Sequence, residues 1–196
     1  MPPKKKFSKD QIIEKAFEIA RVEGIEAITA RRIANVLECS VAPIYVNFKD
    51  IEDLKKAVVS KIFEISKSFS DIEYTGDKFL DIGIASLRFA KEYSVFFRDL
   101  LLNKNSYMND YDEKMGNDIV DFISEEKDLK VFSKDELNII FLKMRIFQLG
   151  LSTMVANELL PESFGENEQI ELLKSVGEDV INLALLRKKE DNGGKI

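Results

Sequence analysis

The chain has 196 residues, 45% of them hydrophobic and 33% charged, which suits one large or two small globular domains. It contains no histidine and one cysteine, excluding histidine-based general-base catalysis, His- or Cys-rich zinc sites and an internal disulfide framework. The net charge of −6 is uneven: residues 1–61 hold 12 Lys+Arg against 9 Asp+Glu, and residues 62–196 hold 17 against 26, so only the front of the chain suits phosphates.

No apolar run approaches the roughly 20 residues of a membrane helix, and Met1–Phe7 leads into no apolar signal stretch. The expectation is a cytoplasmic protein that meets no membrane. No loop carries the alternating oxygen ligands of a calcium site, so neither metal nor cofactor is expected.

The elements follow in chain order. Ser8 and Gln11 stand in capping-box positions, with Phe7 and Ile12 as a hydrophobic staple. Ile12, Ile13, Ala16, Phe17 and Ala20 recur at helical spacing, and Gly24 ends that first helix. Thr29 suits the N-cap of a second helix, whose Ile33, Ala34 and Leu37 face inward. Ser40 is placed to cap a third helix with Pro43 in its first turn, and Asp50 to cap a fourth running through Leu54, Ala57, Val58, Ile62 and Ile65. Ser70 to Asp77 is a polar break. Further helices are predicted near 77–93, 94–103, 108–128, 133–160 and 166–189, with a second capping box at Ser133 and Glu136. Residues 188–196 and 1–6 read as tails. The fold class is all-α, about nine helices, with no strand pattern and no repeat.

Helices two and three, joined by a short turn, outline a helix-turn-helix, whose second helix fits the DNA major groove. Ile33-Ala34, Leu37, Ser40 and then Ile44-Tyr45-x-x-Phe48-Lys49-x-x-x-x-Leu54 resemble the N-terminal domain of the tetracycline-repressor (TetR) family of bacterial regulators. The resemblance covers about residues 8–61. It implies a DNA-binding domain over 1–61, with a basic arm at 1–7, and a helical effector-binding and dimerisation domain over 62–196. It also implies a homodimer joined through the last two long helices and reading a palindrome.

By position, the resemblance has Thr29 touch a phosphate and sets Arg31 and Arg32 near the DNA backbone. Ser40, Val41, Ala42 and Pro43 form the reading surface, Tyr45 and Lys49 meet phosphates, and Ile44 and Phe48 hold the third helix to the core. Glu38 stands where the family usually has Gly, Pro43 where Thr is common, Asn47 where an aromatic or His is common, and Ile51 where Lys is common. Chemically, Val41, Ala42 and Pro43 lack donors and can only pack on thymine methyls. Specificity is therefore expected from apolar contact, from Asn35 or Asn47 reaching a base, and from DNA shape. Lys4, Lys5 and Lys6 add phosphate contacts or follow the minor groove.

Residues 62–196 hold 11 of the 14 phenylalanines. Phe89, Tyr93, Phe96, Phe97, Met115, Phe122, Met144 and Phe147 are candidate lining for an apolar effector pocket, with Arg145 and Gln148 as its polar groups. Leu172, Leu173, Val176, Val180, Leu183 and Ala184 on the last helix are candidates for pairing with a second subunit. The function expected is a ligand-responsive repressor released from DNA by a small, largely apolar effector. The alternative is a DNA-binding protein governed by a protein partner or acting architecturally. No nucleophile elbow, phosphate loop or dinucleotide fingerprint supports an enzyme.

Overall fold

The computed structural model describes residues 7–108 and 129–193, with side chains through residue 190. Among the described residues there are eight α-helices and no strand: α1 Lys9–Glu23, α2 Ala30–Val36, α3 Ala42–Asn47, α4 Ile51–Ser70, α5 Lys78–Glu92, α6 Ser94–Phe97, α7 Lys134–Ala156 and α8 Glu166–Gly193. The helix expected over 108–128 falls almost wholly outside them, as do Lys4, Lys5, Lys6, Met115 and Phe122. The chain divides into two compact units. One takes the described residues of Met1–Ser68 and Tyr93–Asn109, the other those of Phe69–Glu92 and Asp110–Ile196.

In the first unit Ser8, Thr29 and Asp50 cap their helices as expected. The Ser8 hydroxyl accepts from the Gln11 N–H, and the Gln11 side-chain oxygen accepts from the Ser8 N–H, closing the capping box of α1. Its inner face buries Ile12, Ala16, Phe17, Ile19 and Ala20. Gly24 ends the helix at φ +91, where an added Cβ would also lie 2.6 Å from the Asp99 carboxylate. That carboxylate accepts the Ile25 N–H at 2.8 Å, so the close approach is used to bind a helical turn at Ile25–Ala27.

Residues 93–108 complete this unit. Phe96 and Phe97 are 0% and 1% exposed, and Phe96 packs on Phe17 with ring centroids 5.2 Å apart. A buried Phe of this kind is worth about 3–5 kcal/mol against Ala. Arg98–Leu102 forms a π-helical turn. Asn105 closes it, donating to the carbonyls of Asp99, Leu100 and Asn103 while its own Oδ1 accepts from the N–H groups of Tyr107 and Met108.

The second unit packs α5 against α7 and α8, and α7 against α8. Ser133 and Glu136 form the expected capping box. Phe132 and Leu137 are buried together with Leu129 and Ile140 at one end, and Ile84, Leu87, Met144, Leu151 and Leu173 form a second cluster. Gly83 sits at a tight crossing, where a Cβ would meet Leu173 Cδ2 at 2.5 Å.

Three expectations are corrected. Ser40 does not cap α3: the capping position is Val41, with no side-chain hydrogen bond. The α2–α3 turn places Ser40 ahead of that position and exposed. The C-terminal tail does not begin at 188, because α8 runs to Gly193 and Lys188 pairs with Glu136 at 2.5 Å. Finally, α7 is long and apolar enough by length and composition to cross a membrane, with a mean hydropathy of 1.5 over its most apolar window. Lys143 and Arg145 interrupt its apolar run, which is why no run stood out in the sequence.

Candidate nucleic-acid interface

The interface is built from α2, the turn and α3. Thr29 accepts the Arg32 N–H at 3.3 Å and starts α2. α2 ends in a Schellman motif: the Cys39 N–H donates to the Ala34 carbonyl at 2.9 Å and the Glu38 N–H to the Asn35 carbonyl at 3.2 Å. The residue forced into the left-handed region is Glu38, at φ +52. A glycine would adopt that conformation without strain; a glutamate accepts a cost of about 1 kcal/mol. Glu158, at φ +54, repeats the arrangement after α7, with the Leu159 N–H on the Met154 carbonyl at 2.9 Å.

α3 has two chemically distinct faces. Ile44 and Phe48 are 0% and 2% exposed and anchor it, as expected. Val41, Ala42, Tyr45 and Val46 face outward, with Val46 82% and Tyr45 54% exposed. Pro43 lies in the first turn, where its missing N–H costs nothing. Asp50 caps α4 by accepting the Asp53 N–H at 2.8 Å, while the Asp53 carboxylate accepts the Lys49 N–H at 3.1 Å. That pair fixes the backbone of Lys49, whose side chain is exposed.

The predicted cations fall around this face. Arg31 and Arg32 are exposed on α2, and Arg32 pairs with Glu23. Both partners of that pair are 43% exposed, so the pair is worth at most about 1 kcal/mol and can yield to a phosphate. Asn47 differs from its predicted role. Its amide NH2 donates to the Pro43 carbonyl at 2.8 Å and the Phe7 carbonyl at 3.4 Å, tying the end of α3 to the start of α1. Lys9 supports the same junction from 5.2 Å over the Phe48 ring.

Beneath lies a polar network that the sequence did not reveal. The Lys55 side chain is 8% exposed and bonds Glu26 at 2.7 Å and Glu52 at 3.0 Å. Burial pulls its ammonium pKa down, but the hydrogen bonds and charges of Glu26 and Glu52 outweigh this and leave it raised. Tyr107 donates to Glu52 at 3.0 Å. Burial first, then its hydrogen bond to Glu52 and that group's charge, push the Tyr107 phenol up to about 12. The network joins the start of α4 to the 93–108 segment. Its members are far apart in sequence, so no local pattern announces it. Val46 was also missed, although its position four residues after Ala42 puts it on the same outward face.

The candidate effector residues divide between the two units. Tyr93, Phe96 and Phe97 belong to the first unit, where Tyr93 stacks on Phe96 at 6.1 Å and Arg21 lies 4.9 Å from the Tyr93 ring centroid. Phe89 lies in the second unit, edge-on to Phe69. Met144 is core there, with Phe147 partly buried against it, and Arg145 is exposed. Gln148 donates to Ser152 at 2.9 Å, and its buried Oε1 has no hydrogen-bond partner among the described residues. The last-helix residues divide as well. Leu173, Val176, Val180 and Ala184 pack inside this chain, while Leu172 and Leu183 are exposed.

Among the described residues these features define an all-helical chain, with a helix-turn-helix in its first unit and packed helices in its second. It matches the solved structure of the fatty acid degradation regulator FadR from Bacillus halodurans, with a TM-score of 0.60 over 91% of this chain and 97% of that one, at 16% identity. No protein-family model matches the sequence. No curated protein matches it either.

Proposed function

We propose that this protein is a ligand-responsive transcriptional repressor of the tetracycline-repressor type. It binds a palindromic operator as a homodimer and is released by a small, largely apolar effector. The observation that carries the reading is the split of α3: Ile44 and Phe48 sealed inside, Val41, Tyr45 and Val46 turned out, beside exposed Arg31 and Lys49. A short helix that presents valines to water while cations flank it fits a groove with thymine methyls at its floor and phosphates at its rim. The likeness to a regulator fold over nearly the whole chain supports the same reading.

The dimer is supported by an outward apolar row on α7, where Ile139, Leu142, Ile146 and Leu149 are 54%, 50%, 66% and 36% exposed, and by Leu172, Leu183 and Leu186 on α8. The α7 positions recur every three or four residues, the spacing of a helix–helix seam. Covering that seam with a second copy keeps the protein in the cytoplasm despite the apolar length of α7. No catalytic role is proposed.

Selection from a random DNA duplex library at two salt concentrations tests the reading. Recovery of a palindrome with half-sites about one helical turn apart is expected. Salt-sensitive binding without a motif would point instead to an architectural protein, and no binding at either salt would remove the regulator reading.

A further inference from the structure

The outward face of α3 is chemically narrow. Val41, Ala42, Tyr45 and Val46 are all exposed, and Val46 is the most exposed large apolar side chain among the described residues. Helical spacing sets Val46 one turn beyond Ala42 and next to Tyr45, so hydrocarbon dominates the surface and the Tyr45 phenol is its one polar group. The amide of the same helix is turned away from it: the Asn47 NH2 donates to the carbonyls of Pro43 and Phe7. The surrounding charge favours an anionic partner. Residues 29–49 hold Arg31, Arg32 and Lys49 against Glu38, and all four are exposed. The carboxylates that follow serve the protein itself. Asp50 accepts the Asp53 N–H, Asp53 accepts the Lys49 N–H, and Glu52 accepts from Lys55 and Tyr107.

We propose that this face reads duplex DNA through the C5-methyl groups of its pyrimidines, that Val46 sets the preference, and that 5-methylcytosine serves in place of thymine. In the major groove every base edge offers donors or acceptors, and the thymine methyl is the apolar group among them. A valine has neither donor nor acceptor, so it distinguishes base pairs by covering that methyl. Thymine and 5-methylcytosine carry the methyl at the same ring position. They differ beside it, where thymine has an acceptor oxygen and cytosine an amino donor. An isopropyl group makes no hydrogen bond to either, so it takes both bases and leaves unmethylated cytosine uncovered. Binding to a cytosine-containing form of the site therefore responds to cytosine methylation. This inference deepens the proposed function by naming the chemistry of the operator, and it rests on the reading of α3 as the DNA-facing helix.

The test uses the full chain and the site recovered from a random duplex library, with binding followed by fluorescence anisotropy at one salt concentration. Each thymine of a half-site is replaced in turn by deoxyuridine, which deletes the methyl and leaves every hydrogen-bonding edge and phosphate in place. At one or two positions the loss should be about fourfold, the worth of one buried methyl group, and roughly fifteenfold when both half-sites carry the change. Val46→Ala should lose a similar amount on the thymine site and become insensitive to deoxyuridine at that position. Val46→Ile, which keeps the branch, should stay sensitive. Circular dichroism of both variants separates loss of contact from loss of fold. Changing the same T·A pair to C·G should weaken binding, and 5-methylcytosine there should regain about fourfold. A recovered site with no thymine in its half-sites, no penalty from any deoxyuridine, an undiminished penalty in folded Val46→Ala, or no regain from 5-methylcytosine would each overturn the proposal and leave the regulator standing. Failure to recover any site would overturn both.

Discussion

The two units bury their apolar residues differently. In the first, the patterned faces of α1, α2 and α4 are buried, Val22 and Val36 stand exposed singly, and α3 with its leading turn groups Val41, Tyr45 and Val46 in water next to cations. In the second, α7 is apolar on both sides: Leu137, Ile140, Met144 and Leu151 point in, while Ile139, Leu142, Ile146 and Leu149 point out. A cluster of exposed apolar residues beside positive charge suits a polar polymer with apolar spots. A unit that exposes a long apolar row is built to meet another apolar surface. Under the proposed function, the first face meets DNA and the second a partner copy.

That contrast can be broken at several points. Phe96→Ala should have the largest effect, costing about 3–5 kcal/mol in urea unfolding, because the cavity it leaves beside Phe17 lies in a sealed core. A loss below about 1 kcal/mol would mean that the 93–108 segment is not part of the first unit's core. Next, Leu142→Lys with Ile146→Lys should convert the proposed dimer to a monomer in sedimentation, with helicity retained; a monomeric parent protein would end the comparison at once. Tyr45→Ala should weaken DNA binding about tenfold, or about 1.4 kcal/mol, on every sequence tested. A change in sequence preference instead would move Tyr45 from phosphate contact to base reading.

Smaller effects sharpen the picture. Glu38→Gly and Glu158→Gly should each raise stability by about 0.5–1 kcal/mol, since glycine relieves left-handed strain and gives back part of the gain in unfolded-chain entropy. A gain in one and not the other would show that the side chain at the unchanged site does something besides cap. Last, the raised Tyr107 pKa gives a signed pH dependence. The folded state holds that proton more tightly than the unfolded chain, so its contribution is complete below about pH 10 and is lost as pH rises toward about 12. Tyr107→Phe should flatten alkaline unfolding in that window, and an unchanged profile would show that the hydrogen bond to Glu52 is not maintained in solution.

The sequence by itself determined the local events. Ser8 with Gln11, Thr29, Asp50 and Ser133 with Glu136 were legible as caps because the hydrogen bonds they make span three residues. Ile44 and Phe48 were legible as anchors because helical spacing puts i and i+4 on one face. Tertiary structure decided what depends on distance along the chain. It split the aromatic cluster, carrying Phe96 and Phe97 into the first unit while Phe89 stayed in the second. It turned Asn47 back onto Pro43 and Phe7, where a surface reading would have left its amide for a base. It also chose which leucines of α8 are core and which are surface. A helix 28 residues long carries apolar residues on more than one face, and only the neighbours that close over a face decide whether it lies inside.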